Sequence, residues 1–330
     1  MDPLKIVAIG GGTGLSTLLH GLKHYAYEPR EIEITAVVTI TDDGGSSGRL
    51  RRDFDVLPPG DIRNCMVALS EDEALLSKLF QYRFSEGRGL KGHSFGNLFV
   101  TALTNITGDF AAAVRLSSEI LASVGRIYPS TAGNVALEAE LANGEVVRGE
   151  TKISKSRSRI ERVRLTPGPC SPVPETLDAI AKADLITFGP GSLFTSIIPN
   201  VLVEGIPEAI QESRALKAYF VNLMWQPGET TEFRASDHVE AIQRHAGQKL
   251  FDIVIVNTGE VSSEQQTKYA ALRAQPVVND FARLETMGLE VVEADLLSPG
   301  ETVRHDPKAT GDIAVELARR SRREALIRTL

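Results

Sequence analysis

The residues best suited to chemistry near the start of the chain are the glycines and the threonine of Gly10–Gly14. The apolar run Lys5–Ile9 precedes this turn and leucines at helical spacing follow it, so the pattern predicts a strand, a turn and a helix. Glycine lets a ligand approach the backbone closely, and the free N–H groups that open a helix favour an anion. We expect Gly11, Gly12 and Thr13 to bind a ligand, usually through phosphate. The alternative is tight packing, because the spacing fits neither the G-x-G-x-x-G fingerprint nor a P-loop.

A second group of polar residues, Thr41–Arg49, follows another apolar run. It combines paired carboxylates with glycines, hydroxyl groups and an arginine, a composition that a purely structural turn seldom needs. We expect Asp42, Asp43, Gly44 and Ser46 to contact a ligand. Because parallel strands present their carboxyl ends to one edge of a sheet, this loop and the glycine turn should open onto the same crevice.

A third junction of the same kind lies in the second half of the chain. The predicted strand Asp184–Phe188 ends in a loop with two glycines and hydroxyl groups. We expect Gly189, Gly191 and Ser192 to complete the crevice that the first two loops begin. Three such loops at one sheet edge favour a polyphosphate or nucleotide pocket.

Further polar candidates lie in two turns between these loops. Asp61 is a plausible N-cap of a helix, and Arg63 and Asn64 in its first turn could face the crevice. His93 and Asn97 occupy a glycine-flanked turn before another helix. For Asp61 the alternative is a cap and nothing more, and for His93 it is a hydrogen-bonded structural histidine.

The order of apolar runs predicts the fold that would position these residues. Strands and helices alternate, which is typical of an α/β protein with a Rossmann-like, doubly wound, mainly parallel sheet. Short alternating runs around Asn143-Gly144 predict a small β insertion at about 133–166. We expect residues 1–330 to form a single domain. Trp225 is expected in its core, and the alternative is that it lines a pocket under a base or sugar.

The composition limits the classes of function. The chain has 330 residues, a net charge of −7, 42% hydrophobic residues and 24% charged residues, as in ordinary globular proteins. The negative charge argues against nucleic acid as a partner. No apolar run approaches the ~20 residues of a membrane span, so we expect no membrane insertion. Two cysteines and an early first strand, with no room for a signal peptide, favour a cytoplasmic location.

Seven motifs in order carry a resemblance to a known family. They are GGGTG, TDDGGSSGRLR, PPGDIRNC, HSFGN, GPGSLFTSIIPN, QPGET and RHDP, and they extend from Lys5 to about Pro307. Together they resemble the gluconeogenesis factor family of YvcK-like proteins. That family is related to 2-phospho-L-lactate transferase, the CofD enzyme of deazaflavin coenzyme synthesis.

The resemblance implies a Rossmann-like fold and binding of a UDP-sugar of the UDP-GlcNAc type, with no established catalytic activity. It also implies a role in cell shape and wall synthesis during growth on gluconeogenic carbon sources, and it allows a homo-oligomer and wall-synthesis protein partners. Asp42 and Asp43 match carboxylates that hold a metal in the transferases, so Mg²⁺ is the candidate cofactor. Arg304 belongs to the stretch linked to UDP-sugar binding. Pro307 stands where some members carry a phosphorylated threonine.

Three functions from different classes remain open. The first, which we favour, is a non-enzymatic regulator that binds a UDP-sugar. The second is a transferase that moves a phosphate-bearing group from a nucleotide-linked donor, with Mg²⁺ on Asp42 and Asp43. The third is a nicotinamide-dependent oxidoreductase, against which the missing glycine fingerprint counts.

Overall fold

The structure is a computed structural model that describes residues 2–27, 29–71, 74–156 and 158–329. Its main element is a seven-stranded sheet in which every pairing between neighbours is parallel. The strands of this sheet are β1 (Leu4–Gly10), β2 (Ile32–Val38), β3 (Gly125–Pro129), β7 (Leu185–Phe188), β8 (Leu216–Phe220), β9 (Ile253–Asn257) and β10 (Glu290–Ala294). A smaller sheet contains β4 (Ala136–Leu141), β5 (Val146–Arg148) and β6 (Ile160–Thr166).

The strand order of the large sheet creates a crevice at its centre. The order is β10-β9-β8-β7-β1-β2-β3, so the chain builds outward from β1 in one direction and then returns to build from β7 in the other. The direction therefore changes between β1 and β7, which makes their junction the topological switch point where such sheets bind ligands. The predicted doubly wound, mainly parallel α/β fold is confirmed.

Continuous apolar runs explain why the central strands form a parallel sheet. In β1 and in β2 only the second residue is less than fully buried, so both faces of each strand are covered. Strands that are buried on both faces are typical of parallel sheets with helices on each side.

Helices cover the sheet on both faces and connect its strands. They are α1 (Gly12–Leu22), α2 (Gly45–Phe54), α3 (Gly60–Leu69), α4 (Ala74–Gln81), α5 (Phe95–Thr107), α6 (Phe110–Ile120), α7 (Glu150–Ile153), α8 (Pro174–Ala181), α9 (Ile198–Val201), α10 (Ile206–Glu212), α11 (Ala235–Ala246), α12 (Ser263–Ala270), α13 (Phe281–Thr286) and α14 (Pro307–Thr329). Helix α1 packs against α14 at unusually close range. A methyl group on Gly21 would overlap the carbonyl oxygen of Pro307, and one on Gly311 would lie 2.7 Å from the carbonyl carbon of Gly21.

The predicted β insertion is present between β3 and α8. Its three strands are antiparallel in the order β5-β4-β6, and α7 lies between β5 and β6 in the chain. One buried apolar cluster contains residues of both sheets, including Val37 of the large sheet and Leu137 of the insertion. The insertion therefore packs against the same core that holds the large sheet.

No single helix in the described parts of the chain has the length and apolar character to cross a membrane. One pair of short segments, Leu193–Val201 and Ile206–Glu212, has them jointly, with a bend of 75° at the break between them.

Candidate functional site

A cavity of about 530 Å³ opens at the switch point between β1 and β7. Its walls come from the loops after several strands of the large sheet, from α3, from the insertion and from the segment that precedes α14. The lining residues include Gly11, Gly12, Thr13, Gly14, Thr17, Asp42, Asp61, Asn64, Glu150, Pro190, Gly191, Ser192, Asn222, Trp225, Gln226, Tyr269 and Arg304. The structure thus brings together residues of all three loops that the sequence pattern assigned to one crevice.

The glycine turn after β1 lies at the wall of this cavity, where the first backbone N–H groups of α1 begin. Gly11 is the N-cap of α1 and has no side chain with which to cap the first turn. Gly12 has a φ of +61°, a conformation that glycine adopts at little cost. Gly14 lies so close to the loop after β7 that a methyl group there would overlap the carbonyl oxygen of Pro190. This end of α1 has no N-cap side chain and carries the positive end of the helix dipole, which favours an anion, although the N–H of Gly12 already donates to Asp61.

The loop after β7 is held in place by side chains that follow β8. Gln226 donates from Nε2 to Oγ of Ser192 at 2.6 Å, and Asn222 donates from Nδ2 to Oε1 of Gln226 at 2.9 Å. Oδ1 of Asn222 is buried and has no hydrogen-bond partner among the described residues. The chain of contacts orients Ser192 and leaves an unused acceptor beside it. An unused acceptor of this kind can be satisfied by a ligand donor.

Two carboxylates from the body of the protein lie on the opposite wall. Oδ1 of Asp42 accepts a hydrogen bond from the backbone N–H of Gly44 at 2.8 Å. Asp61, in the first turn of α3, accepts one from the N–H of Gly12. Burial and the neighbouring charge of Asp42 raise the pKa of Asp61 to about 7, against smaller opposing effects of Arg63 and the Gly12 bond. The N-cap of α3 is Pro59, so the expectation that Asp61 caps this helix is wrong, and Asp61 is instead a cavity residue that contacts the glycine turn.

A third carboxylate, Glu150, comes from the insertion, and sequence reasoning missed it. Burial, reinforced by the charges of Asp61 and Asp42, raises the pKa of Glu150 to about 9. Its Oε2 is buried and has no partner in the described chain. No local signal marks this residue, because only the folding of α7 back over the cavity brings it to the site.

These carboxylates are suited to a cation that also contacts a ligand. Among the described residues, no three histidine, cysteine or acidic side chains are grouped closely enough to hold a metal ion by themselves. Mg²⁺ is usually held by one or two carboxylates together with phosphate oxygens and water. Asp42 and Asp61 both line the cavity and fit that requirement.

Asp43 has a different position from the one expected. Its Oδ1 accepts hydrogen bonds from the backbone N–H of Thr151 at 2.9 Å and from Oγ1 of Thr151 at 2.7 Å. It does not belong to the cavity lining. The carboxylate that was paired with Asp42 as a metal ligand therefore secures α7 of the insertion.

The residues after Asp43 also differ from the loop that was expected. Gly44 is the N-cap of α2, and Ser46 lies in its first turn, buried against α5. Ser46 Oγ and His93 Nδ1 are 3.0 Å apart, and Nδ2 of Asn97 donates to Oγ of Ser47 at 3.3 Å. Ser46, His93 and Asn97 thus join α2 to α5 and lie outside the cavity lining. For His93 the structure agrees with the alternative of a structural histidine.

Three other expectations have distinct outcomes. Asn64 lines the cavity, whereas Arg63 points into a neighbouring one. Trp225, expected in the core, is half-buried in the cavity wall, where its Nε1 donates to the carbonyl oxygen of Phe233 at 3.1 Å.

Arg304 reaches the cavity and its side chain is exposed. The adjacent His305 donates from Nε2 to the carbonyl oxygen of Val221, and burial lowers its pKa to about 4.

Comparison with known proteins identifies the family of the chain. The family model described as 2-phospho-L-lactate transferase CofD matches residues 6–297. The chain belongs to the CofD family. Within the family it is similar to the gluconeogenesis factor of Bacillus subtilis, with 47% identity over 95% of this chain and 98% of that protein. It is 45% identical to the gluconeogenesis factor of Halalkalibacterium halodurans, over 96% of this chain and 97% of the relative.

A solved structure of a similar protein shows the same fold. A crystal structure of a Bacillus halodurans protein superposes with a TM-score of 0.91 at 44% identity, covering 95% of this chain and all of that one. A second crystal structure of the same protein, described as a member of the UPF0052 family, also has a TM-score of 0.91 and covers 96% of this chain. The family includes a transferase by name, whereas the name gluconeogenesis factor specifies no reaction.

Proposed function

We propose that this CofD family protein binds a UDP-sugar of the UDP-GlcNAc type in the switch-point cavity. In this proposal the protein is a regulator of wall metabolism and cell shape during growth on gluconeogenic carbon sources, and it does not consume the ligand. The names of the relatives support the metabolic setting. The observation that carries the proposal is the meeting of the α1 N-terminus, the Ser192 loop and Arg304 around one cavity.

The diphosphate is the part of the ligand for which the cavity offers the strongest interactions. Uncapped N–H groups of α1 and the hydroxyl of Ser192 are suitable donors to phosphate oxygens. An exposed guanidinium, such as that of Arg304, can close over a diphosphate through two parallel hydrogen bonds. Trp225 and Tyr269 supply aromatic surface in the same wall for a base or a sugar.

A regulator requires binding and a consequence for another state or partner, but no chemical step. A cavity of about 530 Å³ is within the usual range for small-molecule sites. We expect a dissociation constant in the micromolar range, which corresponds to roughly −8 kcal/mol.

The alternative is a Mg²⁺-dependent transferase of a phosphate-bearing group, and one observation favours it. Asp61, with its pKa near 7, lies in the same cavity as Asp42 and Glu150. A carboxyl group poised near neutral pH can take or give a proton during a reaction. If Mg²⁺ were bound there, it would neutralise charge on the transferring group. No observation favours the nicotinamide-dependent function in a comparable way.

Calorimetric titration with UDP-GlcNAc tests the proposed binding. Arg304→Ala should lose most of the affinity, because the guanidinium is the cationic group of this cavity best placed for the diphosphate. Arg214→Ala is the matched control, since this exposed arginine precedes β8 and so lies at the opposite edge of the sheet. Equal affinity in the wild type and in Arg304→Ala would contradict the proposal, as would the absence of binding.

Turnover distinguishes the regulator from the transferase. After several hours with UDP-GlcNAc, with or without Mg²⁺, chromatography should recover the ligand unchanged. Steady consumption of the UDP-sugar that Asp42→Asn abolishes would contradict the regulator, and release of UMP, which remains when the phosphate-bearing group leaves, would favour the transferase.

A further inference from the structure

A second cavity of about 530 Å³ lies on the other side of the first turn of α1. It shares Thr13, Thr17 and Asn64 with the switch-point cavity, so the two are neighbours across a thin wall. Its remaining lining comes from α1, α3, α4, the strand-like segment after α4, and the start of α14. These residues are Ser16, His20, Lys23, Arg63, Val67, Ala68, Ser77, Gln81, Arg83 and Pro307.

The charge of this second cavity is positive. Arg63 and Arg83 both line it, and no acidic side chain is among the lining residues that the structure describes. Burial lowers the pKa of the Arg63 guanidinium, and the charge of Arg83 lowers it further, against smaller opposing effects of Asp61 and Asp42. Two guanidinium groups that line the same cavity repel each other. An anion bound between them offsets this repulsion by its attraction to both.

The Arg63 side chain is held in place yet incompletely satisfied. Its Nη1 donates to Oγ of Ser94 at 2.8 Å and its Nη2 to Oδ1 of Asn64 at 2.5 Å. Its stem packs on Gly96, where a methyl group would lie 2.8 Å from Cδ of Arg63. Nε of Arg63 is buried and has no hydrogen-bond partner within the described residues. The protein therefore leaves part of the hydrogen-bonding capacity of this guanidinium group unused.

The other walls of the cavity are also fixed. Nη1 of Arg83 donates to the carbonyl oxygen of Gly92 at 2.7 Å, which orients its guanidinium. Pro307 is positioned by the close contact between α1 and α14 at Gly21. Both arginines therefore line the cavity with at least one hydrogen bond that restrains the guanidinium group, which reduces the side-chain freedom lost on binding.

We propose that the second cavity binds a small phosphate monoester, with its phosphate between Arg63 and Arg83. Arginine suits this role because its planar fork matches phosphate oxygens and retains its charge when partly buried. The hydroxyl and amide groups of Ser77 and Gln81 offer further polar contacts to the ester. The volume leaves room for a short carbon chain beside the phosphate. This site is separate from the UDP-sugar site and does not depend on that ligand being the correct one.

The wall between the two cavities could couple binding at the second site to binding at the first. A ligand in either cavity would contact Thr13, Thr17 or Asn64, and each of these residues also faces the other cavity. A phosphorylated metabolite could therefore be sensed next to a nucleotide-linked ligand without competing for its place.

Calorimetry at 150 mM salt with three probes tests the proposal. Glycerol 3-phosphate and 3-phosphoglycerate both carry the phosphate ester, whereas glycerate carries only a carboxylate. We expect both phosphates to bind and glycerate not to bind. Arg83→Gln should weaken phosphate binding at least fivefold, and Arg63→Gln at least tenfold. Arg88→Gln, an exposed arginine of the following turn outside the cavity lining, should remain within twofold of the wild type.

The design separates this proposal from its alternatives. Arg63 is partly buried, so its variant is interpreted only if its melting temperature is preserved, and the exposed Arg83 otherwise decides the result. Absence of binding by both phosphates would overturn the proposal. So would equal losses in Arg83→Gln and Arg88→Gln, or binding that Arg304→Ala removes and Arg83→Gln leaves intact. UDP-GlcNAc binding does not enter these outcomes, so failure of the proposed function would be seen separately.

Discussion

At the scale of single residues, the two adjacent aspartates after β2 have different roles. Asp42 lines the cavity, while Asp43 accepts two hydrogen bonds from Thr151 and so ties the insertion to the body. Their identical chemistry in the sequence conceals this difference, because the start of α2 turns successive side chains in different directions. Substitution by asparagine should therefore change a different property at each position: ligand binding at Asp42 and stability at Asp43.

We expect Asp43→Asn to lower the free energy of unfolding by about 1 kcal/mol, because bonds to a charged acceptor are stronger than those to an amide. Asp42→Asn should change stability little and weaken ligand binding. Urea unfolding and UDP-GlcNAc titration of both variants check this. An unchanged stability of Asp43→Asn combined with lost affinity would show that it does contact the ligand.

Glu150 makes the stability of the protein depend on pH in a predictable direction. Its pKa is about 9 in the folded protein and near the ordinary 4.5 in the unfolded chain. Between those values the folded state holds a proton that the unfolded state has released, so raising the pH destabilises the folded state. Glu150→Gln stays neutral at every pH. Its advantage over the wild type in free energy of unfolding should therefore be larger at pH 8 than at pH 5, by roughly 1–3 kcal/mol.

Denaturant unfolding at a series of pH values measures this difference. Glu145→Gln serves as the control, because Glu145 lies in the exposed hairpin turn of the same insertion. The prediction fails if the advantage of Glu150→Gln is constant between pH 5 and pH 8.

At the scale of elements, the close contact between α1 and α14 has a glycine on each side, Gly21 and Gly311. Gly21 lies inside α1, where alanine normally stabilises a helix by up to about 1 kcal/mol. Here a methyl group would overlap the carbonyl oxygen of Pro307, which is backbone and cannot move aside by a rotamer change. We expect Gly21→Ala to destabilise the protein by about 1–3 kcal/mol.

Thermal unfolding of Gly21→Ala tests the close approach. Gly133→Ala is the comparison, because a methyl group at Gly133 would meet its neighbours at 3.4 Å or more. A melting temperature for Gly21→Ala equal to or above that of the wild type would show that α14 can shift without cost.

The elements also show how far the sequence alone leads. Apolar runs that end in glycines predicted β1, β2 and β7 and the gathering of their loops, because parallel strands end at one edge. Gly45 and Gly48 made the start of α2 look like a loop in the sequence, so Ser46 was expected to face a ligand. Arg63 was expected in the main crevice, but its position on α3 directs it to the other side of α1. Which face of a helix meets a cavity is set by tertiary packing, which local patterns do not contain.

At the scale of the whole molecule, the switch-point cavity is lined by segments that are far apart in the chain. The glycine turn of α1, the loop after β7, the segment before α14 and α7 of the insertion all contribute lining residues. The insertion is joined to the body at this place by the Asp43–Thr151 contacts and by Ser154, whose Oγ donates to Oε1 of Glu229 at 2.9 Å. A ligand in the cavity would therefore link the insertion to the large sheet.

This linkage predicts where ligand binding should slow amide hydrogen exchange. Exchange reports local opening, and a ligand that contacts several segments lowers the frequency of opening in each of them. With saturating UDP-GlcNAc we expect slower exchange in residues 10–17, 189–196 and 149–155. Helix α6 lies outside the cavity lining and should exchange at the same rate with and without ligand. Protection of the first two segments without protection of 149–155 would show that the ligand does not reach the insertion. In that case Glu150 would have no part in the site, and the cavity would belong to the large sheet alone.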